Sequence, residues 1–139
     1  MRYRATMQSI PIQPETQFQA LGDTTRLRIV RLLAVSEEEA CSCELADSLL
    51  EPAYKLSRHL KILRQAGLLS SQPDGRWVYH RLVTAPAHLP ILYALVRALP
   101  DSNGRFHADL DRFGKRLALR EDGRCRLGIL SDQARMKAG

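Results

Sequence analysis

The stretch from Pro52 to Val83 limits the fold more than any other part of the chain. Leu56, Leu60 and Leu63 recur at helical spacing between Glu51-Pro52 and Gly67. The run Ala53 to Ala66 therefore reads as an amphipathic helix with one buried stripe. Proline suits the helix start, and Gly67 is a plausible C′ residue. Two strand-like runs follow at once, Leu68 to Gln72 and Arg76 to Val83. Pro73-Asp74-Gly75 between them is a strong turn signal. A helix that feeds straight into a two-stranded ribbon must share a core with further helices, and the chain supplies them.

Ahead of it, Phe18 and Leu21 predict a short helix from Pro14 to about Gly22-Asp23. Thr24 or Thr25 can cap the next helix. There Leu27, Val30 (or Ile29) and Leu33 keep the helical period to about Ala34. A third helix runs from Cys43 to Leu50, with Leu45 and Leu49 on one face. After the ribbon, a helix rich in Leu, Ile and Val runs from Pro86 to about Leu99. Phe106, Leu110, Phe113 and Leu117 mark one more. The order predicts a mainly α chain with a small β-hairpin, arranged as a winged helix-turn-helix. Residues 1–13 read as a loose N-terminal arm, 14–99 as the DNA-binding and dimerisation domain, and 105–139 as a C-terminal helix and tail.

Opposite the Leu56 stripe, Tyr54, Arg58, Lys61 and Gln65 point away, with Lys55 and Ser57 on the flanks. Arginine can read a guanine through two hydrogen bonds, and lysine suits phosphate. This face could equally be an ordinary solvated surface. The cationic tip at Asp74-Gly75-Arg76 favours DNA, because a wing beside a recognition helix needs such a tip. Trp77 and Tyr79 lie on the strand and read as packing residues, and His59 as a half-buried structural histidine. The net charge of +6 and the pI near 9.7 lean mildly toward a polyanionic partner. No apolar run is long enough for a membrane span, and the N-terminal stretch lacks the apolar segment of a secretory signal. The expected location is cytoplasmic.

The three cysteines are Cys41, Cys43 and Cys125, too few and too uneven for a disulfide framework. Cys41 and Cys43 flank Ser42 just before the helix-turn-helix. Paired thiolates select soft or borderline ions over Mg²⁺ or Ca²⁺. A place near a helix start also favours the thiolate form. Residues i and i+2 of a helix lie about 200° apart, so a pair inside a regular helix cannot grip one ion. If both lie inside such a helix, binding is expected to fray or distort its start, or to select a form in which it is already frayed.

Leu21-Gly22-Asp23-Thr24-Thr25-Arg26-Leu27-Arg28-Ile29, Cys41-Ser42-Cys43-Glu44-Leu45-Ala46, Ser57-Arg58-His59-Leu60-Lys61-Ile62-Leu63-Arg64-Gln65-Ala66-Gly67-Leu68 and Gly75-Arg76-Trp77-Val78-Tyr79-His80-Arg81-Leu82 together resemble the ArsR/SmtB family of bacterial winged-helix metalloregulators. The resemblance covers about residues 14–99. It implies a homodimer on double-stranded operator DNA of inverted-repeat symmetry, with no cofactor required for DNA binding. It also implies an inducer, As(III) or Sb(III), that lowers DNA affinity. Arsenic-sensing members carry Cys-x-Cys at this place, and in some a third cysteine follows by three residues, where this chain has Ala46. Cys125 can replace it if the tail folds back or reaches across a dimer; otherwise it is an unrelated free thiol. The zinc-sensing branch uses Asp, His and Glu on the last core helix. His88, His107 and Asp109 do not reproduce that spacing.

Two other readings stand beside the arsenic one. A repressor of the same fold could sense Cd(II), Zn(II) or thiol oxidation. A thiol-dependent reductase or metal carrier belongs to a different class. The chain has no Cys-x-x-Cys, no βαβ pattern, no phosphate-cradling glycine loop and no recognisable catalytic set. It is therefore not expected to be an enzyme.

Overall fold

In a computed structural model, residues 12–131 and Ala134 are described. Most of the N-terminal arm expected over 1–13 lies outside these residues. The elements run α1 Pro14–Leu21, α2 Thr24–Ser36, β1 Ala40–Cys41, α3 Ser42–Leu49, α4 Ala53–Gln65, β2 Leu69–Asp74, β3 Trp77–Leu82, α5 His88–Ala98 and α6 Arg105–Ala118. The three strands form one antiparallel sheet in the order β1-β3-β2. Helices with a small hairpin make a winged helix-turn-helix. Among the described residues, no helix is long and apolar enough to cross a membrane.

The core is built around α2, where Ile29, Val30, Leu32 and Leu33 are buried. Leu45 and Leu49 of α3, the Leu56-Leu60-Leu63 stripe of α4, and Leu89, Leu92, Tyr93 and Val96 of α5 close over it. Phe113 brings α6 into the same cluster. Each such side chain contributes about 1.5–3 kcal/mol through the apolar surface it removes from water.

Local chemistry sets the element ends. Asp23, not Thr24 or Thr25, caps α2, its carboxylate accepting the Arg26 N–H at 3.1 Å. Asp23 holds the N-cap position, with Thr24 and Thr25 already inside the helix, and its carboxylate also lies 3.7 Å from His59 Nδ1. Asp23 is held below its usual carboxylate range by these partners, which outweigh the upward push of burial. After α4, Gly67 takes φ +77, a left-handed conformation that favours glycine at this position.

The ribbon turn is one step later than the sequence suggests. Pro73 and Asp74 belong to β2, and Asp74 pairs with Trp77. The loop is Gly75-Arg76 alone, with Gly75 at φ +63. A two-residue hairpin matches strand twist when the first loop residue is left-handed, so Gly75 rather than Pro73 dictates the turn. Pro73 is tolerated because β2 is an edge strand.

His80 sits at the centre of the sheet, opposite Ala40 on one side and Ser71 on the other. Its ring joins Ser42 Oγ at 2.8 Å and Ser71 Oγ at 2.6 Å, so it ties α3 to the wing. Burial pushes its pKa down from 6.5 to about 4. The unfolded chain then takes up a proton that the folded one refuses. The stability from neutral His80 is full above pH 6.5 and lost as pH falls toward 4, up to about 3 kcal/mol. Thermal melts between pH 7 and pH 5 should show this loss, and His80→Gln should flatten it.

Candidate inducer and DNA-binding sites

Cys41 ends β1 and is the N-cap of α3, with φ −82 and ψ 162. Cys43 falls in the first turn of the helix. The two are therefore not both inside a regular helix. Extended backbone at Cys41 takes its side chain out of the helical register, and Cys43 packs against the cluster that Cys41 forms with Tyr79 and Cys125. The expectation that binding must fray the helix start fails for this reason.

The tail brings a third thiol close to Cys41. Past α6, Glu121 and Arg124 exchange backbone hydrogen bonds at 3.0 Å each, and the chain turns back over α3 and β3. Cys125 is buried there, its N–H donating to Tyr79 Oη at 2.8 Å. Its sulfur, the Cys41 sulfur and a Glu44 oxygen all lie within 4.8 Å of one another. Cys43 packs against this cluster, but its sulfur is not among the three atoms that meet within 4.8 Å.

Glu44 is fully buried, but its oxygens are engaged. Oε1 accepts the Cys41 N–H at 3.0 Å, and Arg120 donates to both oxygens at 2.8 Å. It positions Cys41 through a capping box. Asp47 does the same for the tail, accepting from Leu130 and Ser131 N–H groups and from Arg116. Arg116 Nη2 in turn donates to Cys125 Sγ at 3.3 Å.

The thiols do not share one acidity. Cys43 is lowered, chiefly by the hydrogen bond from Cys41. Cys41 is raised, chiefly by that same bond and by burial. Burial, and next the contact with Cys41, push Cys125 up to about 11. Of the three, only Cys43 is shifted toward the thiolate. Three soft donors fit a thiophilic trivalent ion. Among the described residues they lack the free fourth donor that a structural zinc takes.

The helix-turn-helix is α3 and α4, joined through Leu50, which takes φ +54, and Glu51-Pro52. Tyr54, Lys55, Ser57, Arg58 and Lys61 are all exposed along α4. Arg76 is exposed at the wing tip, 5.9 Å over the Trp77 ring. Lys55, Arg58 and Lys61 have no ion-pair partner among the described residues. His59 is half-buried, with Arg26 Nη1 3.1 Å from its Nδ1. Burial holds its pKa below the usual value, outweighing the pull of Asp23. Asp109 is buried against Arg28 and Arg112, His107 faces Asp111 at 3.4 Å, and His88 Nε2 meets Gln17 Oε1 at 2.8 Å. The three do not converge on a common point.

The sequence pattern of the bacterial regulatory protein, arsR family, matches residues 23–71. An HTH-type transcriptional regulator of Methanocaldococcus jannaschii is 39% identical over 66 residues, which cover 48% of this chain and 73% of that protein. The chain belongs to the arsR family. Two further relatives have names tied to arsenic. An arsenic resistance transcriptional regulator of Pseudomonas putida is 45% identical over 71 residues, 51% of this chain and 55% of that protein. The arsenical resistance operon repressor of Escherichia coli K12 is 43% identical over 81 residues, 58% and 63% of the respective chains. The chain thus spans a little over half the length of these two. The family is one of regulators, not enzymes.

Within this arsR-family chain the matched span holds Cys41, Cys43 and all of α4, and stops before β3, α6 and the tail. Glu44, Asp47, Arg116, Arg120 and Arg124, which build the rest of the thiol site, were not singled out by the sequence reading. Arginine at every fourth position, 112, 116, 120 and 124, was the available signal. Within this series Arg116 meets Asp47 and Arg120 meets Glu44, the acidic partners on α3.

Proposed function

We propose that this chain is an arsenic(III)-responsive transcriptional repressor, located in the cytoplasm. A homodimer holds double-stranded operator DNA through α4 and the wing, and releases it when As(III) or Sb(III) binds the thiolates of Cys41, Cys43 and Cys125. No cofactor is needed for DNA binding. The observation that carries this reading is the approach of Cys125, from the far end of the chain, to Cys41 at the start of the helix-turn-helix, with Cys43 packed against the same cluster. The names of the Pseudomonas and Escherichia relatives support it.

The three thiols must lose protons to bind, so inducer affinity rises with pH. Cys43 gives up its proton most readily, and Cys41 and Cys125 follow as their sulfurs are drawn together. The exposed α4 face meets the groove, with Arg58 on base edges or phosphate and Lys55 and Lys61 on phosphate. Tyr54, Ser57 and the wing-tip Arg76 complete the contact.

A dimer formed through α1 and α5 would set two α4 helices in successive major grooves. Phe18, Ile91 and Leu95 are 60%, 71% and 55% exposed and suit that interface. Leu89 and Leu92 of the same helix pack inside the chain instead.

A second reading is a sensor of Cd(II) or Zn(II). It is favoured by Glu44, which lies near enough to serve as a further donor if Arg120 releases it. Operator binding by reduced protein, with arsenite, antimonite, Cd²⁺ or Zn²⁺ added separately, separates the two. Release by arsenite and antimonite at the lowest concentrations supports the first reading, and release by Cd²⁺ or Zn²⁺ alone supports the second. In the same assay Arg58→Ala and Lys61→Ala should each weaken operator binding and lower the salt slope by about one unit, with unchanged thermal stability. Unchanged affinity in both variants would make this face a solvated surface only.

A further inference from the structure

The thiol site touches the wing as directly as it touches the helix-turn-helix. Cys41 pairs with Tyr79 in the sheet, and Tyr79 Oη accepts the N–H of Cys125. The neighbouring residue, Arg124, lays its guanidinium 3.7 Å over the Tyr79 ring. It then reaches Asp74 in an ion pair and Glu39 Oε2 at 3.5 Å. Asp74 is the last residue of β2 and directly precedes the Gly75-Arg76 tip. Adjacent tail residues therefore hold two different things: Cys125 a thiol at the inducer site, and Arg124 the base of the wing tip.

We infer that Arg124 is the positioning residue that carries inducer binding at Cys125 to the DNA-contacting tip of the wing. This rests on the reading of the three thiols as the inducer site. In the DNA-binding form Arg124 cancels the Asp74 carboxylate, which would otherwise stand beside Arg76 and repel phosphate. It also fixes the tip against the sheet. To join Cys41 and Cys43 on one small ion, Cys125 must release the Leu127 carbonyl oxygen, 3.2 Å away, and loosen its contact with Arg116. The turn that carries Arg124 is stiff: Glu121 and Arg124 are bonded both ways, and Asp122 and Gly123 take φ +54 and +72. A shift of Cys125 is passed on to Arg124 rather than absorbed. Asp74 then loses its partner, the wing tip gains a bare negative charge, and operator affinity falls. Inducer and operator weaken each other by the same factor.

The test uses full-length wild type, Arg124→Gln, Asp74→Asn and the double variant. Operator affinity is measured with and without arsenite, and arsenite binding to the thiols is followed separately by absorbance. Without arsenite, Arg124→Gln should bind operator more weakly, by up to about fivefold, the worth of an exposed ion pair. The double variant should regain the lost affinity, which a merely misfolded tail would not. With arsenite bound, Asp74→Asn and the double variant should lose operator affinity by a factor at least about threefold smaller than the wild type does, within the usual range of coupling between sites. If both retain the full wild-type response, the coupling runs elsewhere and the inference is overturned. A wild-type protein that arsenite does not release fails at the parent reading, and the inference falls with it.

Discussion

A Cys41→Ser protein is expected to stay on its operator at arsenite concentrations that release the wild type. Cys41 lies within 4.8 Å of the Cys125 sulfur, and Cys43 packs against the same cluster. Without it the site loses one of its three soft donors. Serine is a hard oxygen donor and a poor substitute for a soft ligand. The fold should not suffer, since Cys41 is an N-cap and serine is among the preferred capping residues. The Glu44 carboxylate would still accept the backbone N–H at position 41. Loss of inducer affinity should exceed the roughly 10- to 100-fold that removing an outer-shell partner costs a metal site. Cys43→Ser should behave alike. Gel-shift titration with arsenite measures this; release at wild-type concentrations in both variants would place the sensing site elsewhere.

The largest expected effect on stability comes from Asp109. Its carboxylate is 1% exposed and takes hydrogen bonds from Arg28 Nε at 2.9 Å, Arg28 Nη2 at 2.8 Å and Arg112 Nη2 at 3.1 Å. Arg28 also donates to the Leu49 carbonyl oxygen at 2.8 Å, and Arg112 to that of Ser48 at 2.7 Å. The cluster thus ties α2 and α6 to the end of α3, directly before α4. Asp109→Ala leaves the buried Arg28 guanidinium with only the more distant Glu51, 3.6 Å away, as counter-charge, at a cost of about 3 kcal/mol. Replacing Arg28 and Asp109 together by apolar residues of similar volume should recover much of that loss. Denaturant unfolding of the single and double variants measures both. A single variant within 1 kcal/mol of wild type, on the order of a surface substitution, would mean that the cluster relaxes into water.

These two sites show why only part of the molecule was legible in the sequence. The α4 stripe of Leu56, Leu60 and Leu63 was readable because local periodicity reports burial directly. Cys41 and Cys43 were readable because their spacing is short. The Asp109 cluster and the tail depend on pairs more than 60 residues apart, such as Arg28 with Asp109 and Arg120 with Glu44. No local pattern encodes such pairs. The arginines that form them also inflated the reading of surface charge: Arg28 and Arg116 are buried and spend their charge inside the fold. The fraying mechanism failed over a single residue, because Cys41 caps α3 instead of lying within it.

The central claim is that the tail completes the inducer site. Arsenic K-edge X-ray absorption on reduced wild-type protein, loaded with one arsenite per chain, tests it most directly. The account predicts three sulfur neighbours for each arsenic in the wild type, and two with one oxygen in Cys125→Ser, together with weaker binding. Three sulfurs and unchanged affinity in Cys125→Ser, or only two sulfurs in the wild type, would contradict it.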